Sequence, residues 1–135
     1  MNQLQLERFA RRLALVSGAL DFCTGLALVF APALLLRLMG VPGTGEEATV
    51  YLRFIGMFVW AVGFSYLWAL GRGEAALLRS TLELTVWFRL AVGGYSSFAI
   101  ARGWLSPLWL SVPAADFAFA FAQIWLLRRG VFRPE

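Results

Sequence analysis

The chain has 135 residues, of which 60% are hydrophobic and 15% charged, well below the roughly 25% charged expected of an average soluble domain. A mean hydropathy of +0.70 over so short a chain excludes a soluble fold and leaves no length for a separate catalytic lobe. The net charge of +4 comes from twelve arginines and no lysine; they are scattered through short loops and helix ends rather than massed on one soluble face, which argues against nucleic acid as a partner.

Taken in chain order, the sequence predicts an all-α integral membrane protein, an antiparallel four-helix bundle forming a single domain over 1–135. Met1 to Arg12 reads as a basic lead whose Leu4, Leu6 and Phe9 give it an amphipathic, interfacial character. The first apolar run, about 13–38, ends at Gly40 and Pro42, a helix-stop pair. Arg8, Arg11 and Arg12 followed by Ala31-Pro32-Ala33 resemble a signal peptide and its cleavage site. That reading is rejected because the run is too long for such a segment, contains Asp21 and places proline in the cleavage motif.

The second span, about 50–70, is entered through Thr44-Gly-Glu-Glu47, which has the spacing of a capping box, and closed by Gly71 to Gly73. A connector from Glu74 to Arg79 leads to a second such spacing, Ser80-Thr-Leu-Glu83, and to a third span at about 81–101. Ser106 as cap and Pro107 at the first helical position open the fourth, about 108–127. Each span is close to the roughly 20 apolar residues that a bilayer crossing takes.

Arginine counting orients the bundle. One side carries Arg8, Arg11, Arg12, Arg72, Arg79, Arg128, Arg129 and Arg133, the other Arg37 and Arg102 with Glu46 and Glu47. Both termini are therefore expected in the cytoplasm, with the protein in a bacterial inner membrane. Several of the six tryptophans fall near span ends, where the indole ring suits the headgroup layer.

Few chemistries remain open. Histidine is absent and the one cysteine, Cys23, lies inside an apolar run, so neither haem nor zinc is expected and no Cys/His nucleophile can be assembled. Four ionisable residues fall inside the spans: Asp21, Arg53, Arg89 and Asp116. Each costs about 2.5–3.5 kcal/mol near a helix centre, so each requires a partner or a polar cavity. A rise of about 1.5 Å per residue puts Asp21, Arg89 and Asp116 in one layer near the midplane, and Arg53 only ~5 Å inside the opposite edge. Helical phase groups Asp21 with Gly18 and Gly25, Arg53 with Gly56, Trp60 and Gly63, Arg89 with Gly93 and Ser96, and Asp116 with Ala120 and Gln123. Small residues mark packing faces, so Asp21, Arg89 and Asp116 are expected to point into the bundle, with Arg89 paired to Asp116, Asp21 or both. Arg53 is expected to face the bundle or a partner rather than lipid, with Glu46, Glu47 or Asp116 in reach, the alternative being that it snorkels to the headgroups. Arg79 and Glu83 are one turn apart and are expected to pair. Pro113, three residues before Asp116, removes a backbone donor and frees the Trp109 carbonyl unless water or a neighbour bonds it; the result is either a kink beside the buried carboxylate or, as is commoner in membrane helices, a packing adjustment.

The segments Asp21-Phe-Cys-Thr-Gly25, Tyr51-Leu-Arg-Phe-Ile-Gly56, Phe88-Arg-Leu-Ala-Val-Gly93 and Ala115-Asp116, set in four spans, resemble small bacterial membrane proteins loosely grouped as DoxX-like. The resemblance implies a membrane subunit with a partner protein, some relatives being linked to quinone-coupled sulfur oxidation; it carries no catalytic residue onto this chain.

Two functions follow. One is a non-catalytic structural or accessory subunit of a larger respiratory or photosynthetic membrane complex, contacting lipid and either a partner membrane protein or further copies of itself. The other is a quinone-, lipid- or proton-binding protein built on Asp21, Arg53, Arg89 and Asp116, with a ligand lodged among Trp60, Phe64, Tyr95 and Arg89.

Overall fold

A computed structural model describes residues 1–133. The chain is all-α: α1 spans Gln3–Phe30, α2 Pro32–Leu38, α3 Glu46–Arg72, α4 Ala75–Ala101 and α5 Ser111–Arg128, the last preceded by a 3-10 turn, Pro107–Leu110. Four helical segments, Gln3–Phe30, Glu46–Arg72, Ala75–Ala101 and Pro107–Arg128, are long and apolar enough to cross a membrane. The protein is a small integral membrane protein.

The helix boundaries correct the sequence reading in four places. The basic lead is the start of α1 rather than a separate surface segment: Asn2 and Gln5 form a reciprocal capping box, and Leu6 and Ala10 are buried in the core. With 28 residues, α1 is about 42 Å long, longer than a hydrocarbon layer of about 30 Å. The first apolar run is not one helix, because Ala31 precedes Pro32 and leaves the α region at φ −140°, as a residue before proline is driven to do. The turn before α3 uses Gly45 as cap without a side-chain bond; Thr44 instead bonds Thr49, which donates to the Gly45 carbonyl. Finally, α4 begins at Ala75 with Glu74 as cap, so Ser80 lies inside the helix and the expected connector is helical. Only Gly73 and Glu74 separate α3 from α4, with Gly73 left-handed at φ 73°.

The fourth span starts as expected, with the Ser106 hydroxyl accepting from the Leu108 N–H. Pro113 lies at the start of the helix rather than in its interior. It is buried in the first turn of α5, where the backbone N–H it lacks is one that a helix start leaves unpaired. The Trp109 carbonyl takes the Ser111 N–H instead.

The helices pack as two tight pairs, α1 with α3 and α4 with α5. The first pair is a glycine seam. A Cβ added at Gly25 would stand 2.4 Å from the Trp60 nitrogen, and one at Gly63 would stand 2.3 Å from the Phe22 nitrogen. A Cβ at Gly18 would stand 2.7 Å from that of Tyr66, and one at Gly56 2.7 Å from that of Leu28. Gly18 and Gly25 run against Gly63 and Gly56 in reverse order, which is the antiparallel arrangement, and the backbones meet because no side chain separates them. The second pair is looser: the nearest neighbour of a Cβ at Gly93 is the Phe117 ring, 3.2 Å away.

The apolar core joining the two pairs lies at the arginine-rich end, where Leu6, Ala10 and Ala14 of α1 meet Tyr66 and Ala69 of α3, Leu78 and Leu82 of α4, and Leu126 of α5. The chain beyond α5 closes this end. Gly130 at φ 77° and Phe132 at φ 56° fold Val131 and Phe132 back into the core. Arg79 donates to the Val131 carbonyl at 2.7 Å, and the Arg11 guanidinium sits 5.4 Å from the Phe132 ring centre. Arg79 also pairs with Glu83 at 2.8 Å, the expected one-turn contact.

Candidate functional site

Above this core, one buried arginine draws together residues from all four spans. Arg89 projects from α4 with only 4% of its side chain exposed. Its Nη1 donates to Asp116 Oδ1 of α5 at 2.8 Å, and its Nη2 donates to Asp21 Oδ2 and Ser17 Oγ of α1, each at 2.5 Å. Its Nε donates to the Tyr66 hydroxyl of α3 at 3.3 Å. The guanidinium face is covered by the Phe119 ring, with centres 4.8 Å apart, a cation–π contact in a water-poor setting.

The planar fork of arginine explains why this residue type serves here. Donors fixed in one plane reach carboxylates on opposite helices at once, which an ammonium cannot do. The helices supply the acceptors in register. Ser17 and Asp21 lie one turn apart on the face of α1 that carries Gly18 and Gly25, and Tyr66 continues the Gly56 and Gly63 face of α3.

A second polar layer lies beside the first. Gln123 Nε2 donates to the Tyr66 hydroxyl and approaches Thr85 Oγ1 at 3.4 Å. Thr85 in turn donates to the Thr81 carbonyl at 2.7 Å. Gln123 Oε1 is buried without a protein partner among the described residues. The two carboxylates are less enclosed than the arginine, with side chains 16% exposed at both Asp21 and Asp116.

No family model, curated protein or solved structure matches the chain. What the site does is therefore argued from its own geometry.

Of the four charged residues singled out in the sequence, three come together and Arg53 does not. Arg53 is exposed and is in no ion pair among the described residues. At about 100° per residue, Gly56 and Gly63 differ by about 20°, whereas Arg53 stands about 60° to one side of Gly56, off the seam and open to lipid or a partner. Arg53→Gln is expected to leave folded yield and thermal midpoint at wild-type values, read by size-exclusion and circular dichroism in detergent. A clear loss would show a contact that the exposed position does not provide.

The anticipated ligand lining of Trp60, Phe64, Tyr95 and Arg89 is not assembled either. Phe64 stacks on Trp60 at the outer surface of α3 and is 43% exposed, and Tyr95 is 65% exposed on α4, away from the buried Arg89. Ser17, Tyr66, Thr85 and Phe119 were not singled out as site residues in the sequence. Ser17 is one turn before Asp21 and Tyr66 one turn after Gly63, but neutral hydroxyl and aromatic side chains are ordinary in membrane helices, so only the tertiary contacts reveal them. Among the described residues, no three His, Cys, Asp or Glu side chains come together as a metal-ligand set.

Proposed function

We propose that the protein is a non-catalytic membrane subunit, working as a structural or accessory part of a larger respiratory or photosynthetic assembly. The supporting observation is the closure of the Arg89 cluster on itself. Its Nε, Nη1 and Nη2 are all engaged by Tyr66, Asp116, Asp21 and Ser17. Such a cluster fixes helix register and leaves little of the arginine for a ligand. Tyr51, Phe54, Phe58 and Trp68 stand exposed along α3, a rigid aromatic surface for lipid or a neighbouring subunit. The DoxX-like resemblance of the sequence adds the expectation of a partner protein. Extraction in a gentle detergent should give the protein in a particle far heavier than its 15.0 kDa; recovery as a lone monomer from native membranes would sink this reading.

A second reading, a proton- or quinone-binding site, draws on the 2:1 ratio of carboxylates to guanidinium and on the greater exposure of Asp21 and Asp116. One proton on the carboxylate pair would balance the charge. Infrared difference spectra should then show a protonated-carboxyl band that disappears in Asp21→Asn or Asp116→Asn. Spectra identical in wild type and both variants would remove the proton reading.

The arginine asymmetry supports an inner-membrane placement with both termini cytoplasmic. In a Cys23→Ala background, Ala76→Cys at the start of α4 is expected to react with an impermeant thiol reagent only after the cytoplasmic face is opened. Gly45→Cys should react in intact cells from which the outer membrane has been stripped. The opposite pattern would reverse the orientation.

A further inference from the structure

A groove of about 460 Å³ runs between α4 and α5 at the arginine-rich end. Its walls are apolar, made by Val86 and Trp87 of α4 and Ile124 and Leu127 of α5, and its mouth carries Arg128 and Arg133. Glu83 also lines it, but that carboxylate is held by Arg79 at 2.8 Å, so its charge is already offset. Neither Arg128 nor Arg133 is ion-paired among the described residues, whereas the adjacent Arg129 guanidinium lies over the Trp125 ring.

The placement of Arg133 is a product of the backbone. Phe132 has φ 56°, a left-handed conformation uncommon for a bulky residue. With Gly130 at φ 77°, it turns the chain back on itself. This turn buries Phe132 and brings the Arg133 side chain within 3.3 Å of a Cβ at Gly130, beside the end of α5. Two cations thus stand at the mouth of a channel whose walls would suit a hydrocarbon chain, at the depth where a span leaves the bilayer.

We infer that this groove binds one anionic phospholipid, its phosphate held by Arg128 and Arg133 and an acyl chain lying along Val86, Trp87, Ile124 and Leu127. Basic pockets between spans recognise acidic headgroups in this way, and the charge complementarity is specific to an anionic lipid over a zwitterionic one. The apolar walls commit the occupant to a lipid rather than a free phosphate ion.

The test is native mass spectrometry of the full-length protein offered phosphatidylglycerol and phosphatidylcholine with identical chains. The wild type should retain one phosphatidylglycerol in preference to phosphatidylcholine, and excess inorganic phosphate should not displace it. Arg128→Gln with Arg133→Gln should lower that preference by about fivefold per arginine removed. Arg8→Gln with Arg12→Gln, the same change in charge at the same end but outside the groove, should leave it intact. Equal retention of both lipids by the wild type would overturn the assignment without recourse to any variant. So would displacement by inorganic phosphate, or an equal loss in the Arg8/Arg12 pair, which would mean diffuse attraction to the whole basic end.

Discussion

Arg89→Ala is expected to be the most damaging single change at the polar centre. It removes the hydrogen bonds to Asp116, Asp21, Ser17 and Tyr66 and leaves two carboxylates facing each other without a cation. Breaking a buried ion pair by deleting one partner costs about 3–5 kcal/mol in soluble proteins, although individual hydrogen bonds between membrane helices average only ~0.6 kcal/mol. The carboxylates therefore set the size of the effect, and the folded fraction should fall several-fold. Asp116→Asn added to Arg89→Ala should restore part of the loss, because one orphan charge has been neutralised. Adding Asp21→Asn as well should restore more. Strictly additive losses, measured as folded yield and thermal midpoint, would show that these residues do not interact. Arg89→Lys keeps the charge but cannot supply four acceptors from one plane, so it should fall between wild type and Arg89→Ala.

The second large effect belongs to the glycine seam. In Gly63→Ala the new methyl would stand 2.3 Å from the Phe22 nitrogen, and in Gly25→Ala 2.4 Å from the Trp60 nitrogen. Both obstacles are backbone atoms, so no rotamer change relieves them and α1 must move away from α3. Overpacking of a tight core costs typically about 1–3 kcal/mol, and here the upper end is expected because a whole helix pair has to separate. Gly94→Ala is the internal comparison, since a Cβ there meets nothing within 4 Å and alanine is the better helix former. Gly93→Ala should be intermediate, because the Phe117 ring edge can swing aside. Denaturant titration in detergent micelles should rank Gly63→Ala and Gly25→Ala lowest and Gly94→Ala at or above wild type. Equal stability across the series would remove the seam as a determinant of the fold.

The spans and the charged layer were legible because both rest on strong, local regularities. Apolar length identifies a crossing, and a constant rise per residue places Asp21, Arg89 and Asp116 at one depth before any contact is known. The glycines of α1 and α3 were legible as faces for the same reason. Helix starts were harder to read: Ser80 to Glu83 has the spacing of a cap, yet Ala75 to Arg79 are also good helix formers, and α4 continues through them to the two-residue turn. The polar residues completing the site were hidden by their ordinariness, since Ser17, Tyr66 and Thr85 carry no charge that requires an explanation. For Arg53, spacing alone did not separate a bundle-facing side chain from a partner-facing or snorkelling one, and the offset of about 60° from the seam leaves it outside the bundle.

The arrangement of two tight pairs has a consequence for how the chain enters the membrane. Spans are delivered in order, so α1 and α3 arrive first as a hairpin, and their glycine seam lets that hairpin close before α4 has been made. This first half carries Asp21 with no cation near it, whereas the second brings Arg89 and Asp116 already matched. Until Arg89 docks, the Asp21 carboxylate lacks the partner it has in the folded chain. A chain divided at the turn between Arg72 and Ala75 would expose this asymmetry: the later half should insert and persist alone, while the earlier half should be degraded unless the other is co-expressed. Docking of Arg89 is then the contact that joins the two halves of the polar layer.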